Sequence, residues 1–180
     1  ATALQNFTFT GGATTSFNQK QVDALRSDAT QQIFKDINEA DTRIAVGNEA
    51  QAGRTLLNTQ GGLSRAEVTA LDQIAESPSR LTGTEAERKS GEEKFSLQIE
   101  KLLDKYTGAD VAGMSVAERA ALVAEGKEAA TAGGGEFTKF LQKVQTEQGA
   151  AGSQALTDKA ALEARAGSLG FDPSQIAALS

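Results

Sequence analysis

The residues that could do chemistry in this chain are almost all carboxylates. Of its 180 residues 24 are Asp or Glu, and it has no His and no Cys. Lack of His removes the commonest general base, the commonest transition-metal ligand and the usual switch near neutral pH. Lack of Cys removes disulfides, thiolate metal sites and thiol nucleophiles. A Ser-His-Asp triad is out of reach of this chain alone. Paired carboxylates remain, at Glu92 with Glu93, Asp36 with Glu39, and Asp104 with Asp110. An acid–base pair needs surroundings that drive its two pKa values apart. These pairs sit instead among charges of alternating sign, the pattern of a solvated helix face. No catalytic residue is assigned.

Two stretches resemble ligand loops and fail on inspection. Asp104 to Asp110 suggests a cation loop, but an EF-hand needs oxygen ligands at positions 1, 3, 5 and 12. Here Tyr106 and Gly108 hold positions 3 and 5, and Ser115 holds position 12. A helix stopped by Gly108 explains these residues better. Gly133-Gly134-Gly135 is followed by no Gly-Lys-Ser/Thr and preceded by no hydrophobic strand, so it is no phosphate loop. Neither a metal nor a cofactor is expected.

Charge narrows the partners. The net charge is -6 and the isoelectric point is near 4.8. An acidic chain with no Lys/Arg run between aromatics lacks the field that neutralises phosphates, so no nucleic-acid partner is expected. No apolar run approaches the ~18 residues of a membrane span. The opening Ala-Thr suits removal of an initiator Met, and a cleaved signal would look the same.

The elements that must position these residues read as helices. The chain is 39% hydrophobic, but much of that is alanine; it has eight Phe, one Tyr, one Met and no Trp. Alanine favours helix yet buries little area, so thin helix-on-helix layers are expected. Asn18 to Asn58 contains no proline. Val22, Leu25, Ala29, Ile33, Ile37, Ala40 and Ile44 recur there at steps averaging about 3.67, the period of an 11-residue repeat. One helix over that stretch would run roughly 60 Å. Gly47 and Gly53 predict a break or bend between them.

Capping boxes mark the next helices. Ser64 with Glu67, Thr84 with Glu87 and Ser115 with Glu118 place helices over about 65–76, 85–107 and 116–131. Phe95, Ile99, Leu102, Leu103 and Tyr106 make the most apolar stripe and read as core. The triple glycine then predicts a hinge. A helix over 136–147 carries Phe137, Phe140, Leu141 and Val144 on one face. Gly149 to Gly152 reads as a linker before another helix over 154–166. Asp172-Pro173 starts a last turn or two.

Residues 1–17 carry no charge and read as an extended arm, with Phe7 and Phe9 alternating with Thr. The expected fold is therefore mainly α: an elongated helical subunit with an arm over 1–17, a helical body over 18–132 that begins with the long helix, and a C-terminal helical segment over 133–180. Such a helix needs a partner for its stripe. The predicted partner interface is Phe7, Phe9, Val22, Leu25, Ile33, Ile37 and Ile44, facing other copies of the chain or other assembly proteins. In texture the chain resembles phage tail, connector or ejection proteins and secretion-apparatus components. That favours a non-enzymatic structural subunit of a virion, extracellular or periplasmic assembly. The competing expectation is a monomeric helical binding module, such as a chaperone, adaptor or secreted effector-like domain.

Overall fold

The computed structural model describes residues 4–8 and 14–180, with side chains from Ser16 onward. The described chain is mainly α. Two short strands, β1 (Leu4–Thr8) and β2 (Thr14–Asn18), pair antiparallel with Leu4 opposite Asn18 and Thr8 opposite Thr14. Eight helical segments follow among the described residues: α1 (Gln19–Leu25), α2 (Asp28–Gln60), α3 (Arg65–Ala75), α4 (Pro78–Leu81), α5 (Glu85–Thr107), α6 (Val116–Ala132), α7 (Gly134–Ser168) and α8 (Pro173–Leu179).

The expected caps start their helices. Ser64, Thr84 and Ser115 each accept the backbone N–H of a Glu three residues on, and that Glu reaches back to the cap's own N–H. This satisfies two donors that a bare helix end would leave unpaired. Two further boxes, Asn18 with Gln21 and Asp172 with Gln175, open α1 and α8.

By their packing the residues fall into two units. One is made of residues 1–45 and 151–180, the other of residues 46–150. The first unit buries Phe17, Val22, Ile33, Phe34, Ile37, Ala166, Phe171 and Ile176 in one cluster. Phe34 and Phe171 meet edge to face with ring centres 5.3 Å apart. The second unit has the larger core. Phe95, Ile99, Leu102, Leu103 and Tyr106 of α5 lie inside it, with Leu57, Leu71, Val123, Phe137 and Leu141. The α5 stripe is thus core, as its spacing predicts.

Three expectations about continuity are corrected. The long N-terminal stretch does break, but at Arg26–Ser27 and not between Gly47 and Gly53; α2 runs unbroken through both glycines. Gln31 secures the break by donating its side-chain amide to the Leu25 carbonyl, 2.8 Å away. The break also shifts the phase of the stripe. Ala29 turns outward, while Thr30 and Phe34 turn in. Gly53 is kept for space: a Cβ there would overlap the backbone carbonyl of Tyr106. The linker expected at Gly149 to Gly152 lies inside α7, because isolated glycines cost a helix only about 1 kcal/mol each relative to Ala. At the triple glycine, only Gly133 leaves the helical path (φ 132°), between α6 and α7.

Candidate functional site

The first unit carries a polar clasp and, beside α8, an apolar groove. Gln21, at the third position of α1, and Gln175, at the third position of α8, face each other and are both buried. Gln21 Nε2 donates to Gln175 Oε1 at 2.8 Å and to the Gly170 carbonyl at 2.7 Å. Gln175 Nε2 donates to Gln21 Oε1 at 3.1 Å and to the Ser16 carbonyl at 3.0 Å. Each amide oxygen also accepts its own cap's N–H, from Asn18 and from Asp172, both at 3.0 Å. Every donor and acceptor of the two amides is satisfied, so burying them costs little. The clasp fixes α8 beside α1 and β2.

A groove of about 380 Å³ opens where α8 meets α2 and α7 of this unit, with Phe171, Pro173 and Ile176 among its apolar lining and Asp41, Lys159 and Glu163 as its charges. That volume lies within the range of small-ligand pockets, about 300–1,000 Å³. Lys159 Nζ sits 2.6 Å from Asp41 and 3.7 Å from Glu163. Its hydrogen bond to Asp41 raises its pKa above the ordinary lysine value. It is therefore a fixed cation at neutral pH, suited to charge pairing and not to nucleophilic attack. Two carboxylates against one ammonium leave the rim net negative, over an apolar floor.

The second unit holds a network of titratable groups. Tyr106, fully buried, shares its hydroxyl proton between Glu67 Oε1 at 2.6 Å and Gln60 Oε1 at 3.1 Å. Lys105 Nζ lies 3.1 Å from Glu67 Oε2. Partial burial works against the charge on Glu67, but hydrogen bonds from Tyr106, Ser64 and Lys105 outweigh it and hold its pKa below the usual glutamate value. Burial, then the bond to Glu67, pushes the Tyr106 phenol up. The same Glu67 completes the capping box of α3. The network ties the end of α2, the start of α3 and the end of α5 together.

An exposed apolar face lies on α5 and α6 of the same unit. Val116 is 87% exposed and Leu97 51%. Three shallow depressions adjoin them and share Glu100; Leu97 lines two of them, and Val116 lines the third beside Arg119. Arg119 holds Glu100 in a two-pronged pair, both bonds 2.9 Å. Lys89, Glu93, Lys101 and Asp104 surround the face with both signs of charge.

Compared with protein-family models, curated proteins and solved structures, the chain finds no match.

The residues singled out in the sequence are placed as follows. Val22, Ile33 and Ile37 are buried by their own chain, against the cluster that holds Phe171 and Ile176, and Leu25 packs on its edge. Ile44 is half-buried. Phe7 stands opposite Thr15 in the register of β1 and β2; Phe9 lies outside the described residues. Of the carboxylate pairs, Glu92 bonds Arg80 at 2.6 Å and Lys127 at 3.1 Å, and Asp36 accepts from Gln32. Asp110 caps a turn by accepting the Gly113 N–H. Among the described residues no group of three or more acidic side chains could hold a metal ion. No helix there is long and apolar enough to cross a membrane. The clasp is absent from the sequence expectations. Its trace is a repeated pattern, Phe-Asn-x-x-Gln-Val at 17–22 and Phe-Asp-x-x-Gln-Ile at 171–176.

Proposed function

We propose that this chain is a non-enzymatic structural subunit of a multi-protein assembly. The α5–α6 face is the observation that carries this reading. Large apolar side chains as exposed as Val116 and Leu97 leave apolar surface in water that a neighbour would cover with a gain in free energy. The ring of mixed charge suits an amphipathic helix of a neighbouring subunit, with acidic and basic groups of its own. The titratable groups lend support. Glu67 and Asp172 are shifted down, while Lys105, Tyr106, Lys143 and Lys159 are shifted up. Each moves away from neutrality, the opposite of what acid–base catalysis uses. The texture of the sequence points to tail, connector or ejection particles of phages, or to secretion machinery.

Light scattering on the purified chain across a wide concentration range tests the proposal. Mass is expected to rise above the 18.7 kDa of one copy, or to do so when the co-purifying partner is added back. Leu97→Glu with Val116→Glu is expected to abolish the rise without unfolding the chain. A single copy at every concentration and with every co-purifying protein would sink the proposal.

The groove beside α8 favours the second reading, a helical binding module. Its apolar floor and acidic rim fit an apolar group that carries a positive charge. A peptide with alternating aromatic and Lys residues should bind the isolated chain and lose affinity on Glu163→Lys if that reading holds.

A further inference from the structure

The clasp of the first unit has a local two-fold symmetry. Ser16-Phe17-Asn18-Gln19-Lys20-Gln21-Val22 and Gly170-Phe171-Asp172-Pro173-Ser174-Gln175-Ile176 play equivalent parts position by position. In each, the third residue caps its helix and the sixth completes the box. The sixth residue also donates to its counterpart and to the first residue's carbonyl on the other strand. In each, the Phe before the cap and the Val or Ile after the Gln are buried in the common cluster, the arrangement of a hydrophobic staple. The two Phe rings meet edge to face at 6.4 Å.

The bonds of such a contact are the same whether its two halves come from one chain or from two. Within one chain the halves stand 154 residues apart at the Gln pair. Adjacency in sequence does not bring them together; the single turn that joins α8 to α7 does. The C-terminal half hangs from α7 by one turn. Gly170 takes a left-handed backbone (φ 95°), and Phe171 N–H bonds back to the Ala166 carbonyl at 3.3 Å. This is the helix-ending turn that glycine serves. Straightening it frees α8, whose seven residues are too few to hold a helix alone. A freed α8 must find a clasp, and a second copy offers an identical one.

We infer that the clasp also closes between copies: residues 171–180 of one chain dock on residues 16–22 of a second, and the exchange is reciprocal. The partner is thus a second copy of this chain. Exchange of an identical element adds no new surface and closes a symmetric dimer. Within one chain the halves meet at an effective concentration near millimolar, so exchange prevails where copies are crowded, as in an assembly. The inference shares with the proposed function only the premise that copies meet. It uses different residues.

Two full-length variants test it, Gln21→Lys in one chain and Gln175→Glu in another. Alone, each has a clasp with a lone charge. In a mixed exchanged dimer, the introduced lysine faces the introduced glutamate at one clasp, and the other clasp is unchanged. Refolded together at high concentration, they are expected to give a mixed dimer by native mass spectrometry, at twice the 18.7 kDa of one copy. A chain bearing both substitutions pairs its charges in either arrangement and is expected to dimerise to the same extent as the unmodified chain. The unmodified chain guards against variants that fail to fold. Its dimer fraction after concentrated refolding should rise with Gly170→Val, which strains the turn, and should persist with Leu97→Glu. A dimer lost on Leu97→Glu, an unmodified chain that stays single with and without Gly170→Val, or folded variants that mix without forming the dimer would each overturn the inference.

Discussion

The two units of this chain solve the same problem with different materials. The unit of residues 46–150 is contiguous in sequence. Its core is large and apolar, and its helices pack on near neighbours: α3 and α4 on α5, and α5 on α6. The unit of residues 1–45 and 151–180 must bring together the two ends of the described chain. It has a smaller aromatic cluster and closes with buried amides. Closing a long loop costs entropy that local packing does not. The contiguous unit is therefore expected to form first, and the unit of two distant pieces to open first.

The largest expected effect breaks the end-to-end unit alone. Phe171 touches both Phe17 and Phe34 and is 3% exposed. Phe171→Ala should cost about 3–5 kcal/mol, the usual loss for emptying a buried aromatic site. Hydrogen exchange should show the amides of Val22 to Ala40 exposed by the variant, and those of Phe95 to Tyr106 still protected. Equal loss in both stretches would mean that the two units unfold as one, and the comparison would fail.

The next effect strikes the contiguous unit. Gly53 lets α2 approach α5 so closely that a Cβ would run into the Tyr106 carbonyl. That carbonyl is held from the other side by Gln145 Nε2 at 2.8 Å. Gly53→Ala should destabilise by about 3 kcal/mol, the upper end of overpacking costs. Denaturant melts should show the loss, and exchange should place it in α5 before α8. A neutral result would mean that α2 and α5 separate without cost.

Much of this was legible in the sequence, and what was not has a physical reason. Capping boxes at Ser64, Thr84 and Ser115 and the stripe from Phe95 to Tyr106 are local signals, and the structure follows them. Glycines misled. Gly53 and Gly149 read as breaks because glycine weakens a helix, yet neighbours or helix length hold both inside long helices. The true break at Arg26–Ser27 carries no glycine or proline; backbone turn bonds from Arg26 and Ser27 form it, and Gln31 reaches the Leu25 carbonyl across it. The clasp joins residues far apart in the chain, so its two halves had to be compared with each other to be seen. The stripe at Val22, Ile33 and Ile37 shows that something covers it. Its spacing does not say whether the cover comes from the same chain or another.

A smaller effect probes the contiguous unit by acid. Glu67 is held charged below its usual pKa, so its contribution is complete above the unfolded value near 4.3 and is lost as pH falls through the lower folded value. Tyr106→Phe removes the shortest of its bonds and should cost about 1.5–2 kcal/mol at neutral pH. The cost should shrink as pH falls through the lowered folded value of Glu67, where the protonated carboxyl holds its partners less strongly. Thermal melts of both proteins between neutral and acid pH would show this. A cost that stays constant with pH would assign Tyr106 a packing role only.

The smallest effect is a gain. Gly149 lies within α7, and a Cβ there would meet nothing within 4 Å. Gly149→Ala should therefore stabilise the chain by about 1 kcal/mol, the difference between the two residues in a helix interior. Entropy in the unfolded chain would give part of that gain even if Gly149 lay in a linker. The control is Gly149→Pro, which a linker tolerates and a helix interior rejects at about 3 kcal/mol. Opposite signs for the two variants show a continuous helix at the point where the contiguous unit passes into the end-to-end one. Two gains, or two neutral results, would restore the linker and make the residues after Gly149 a separately tethered piece.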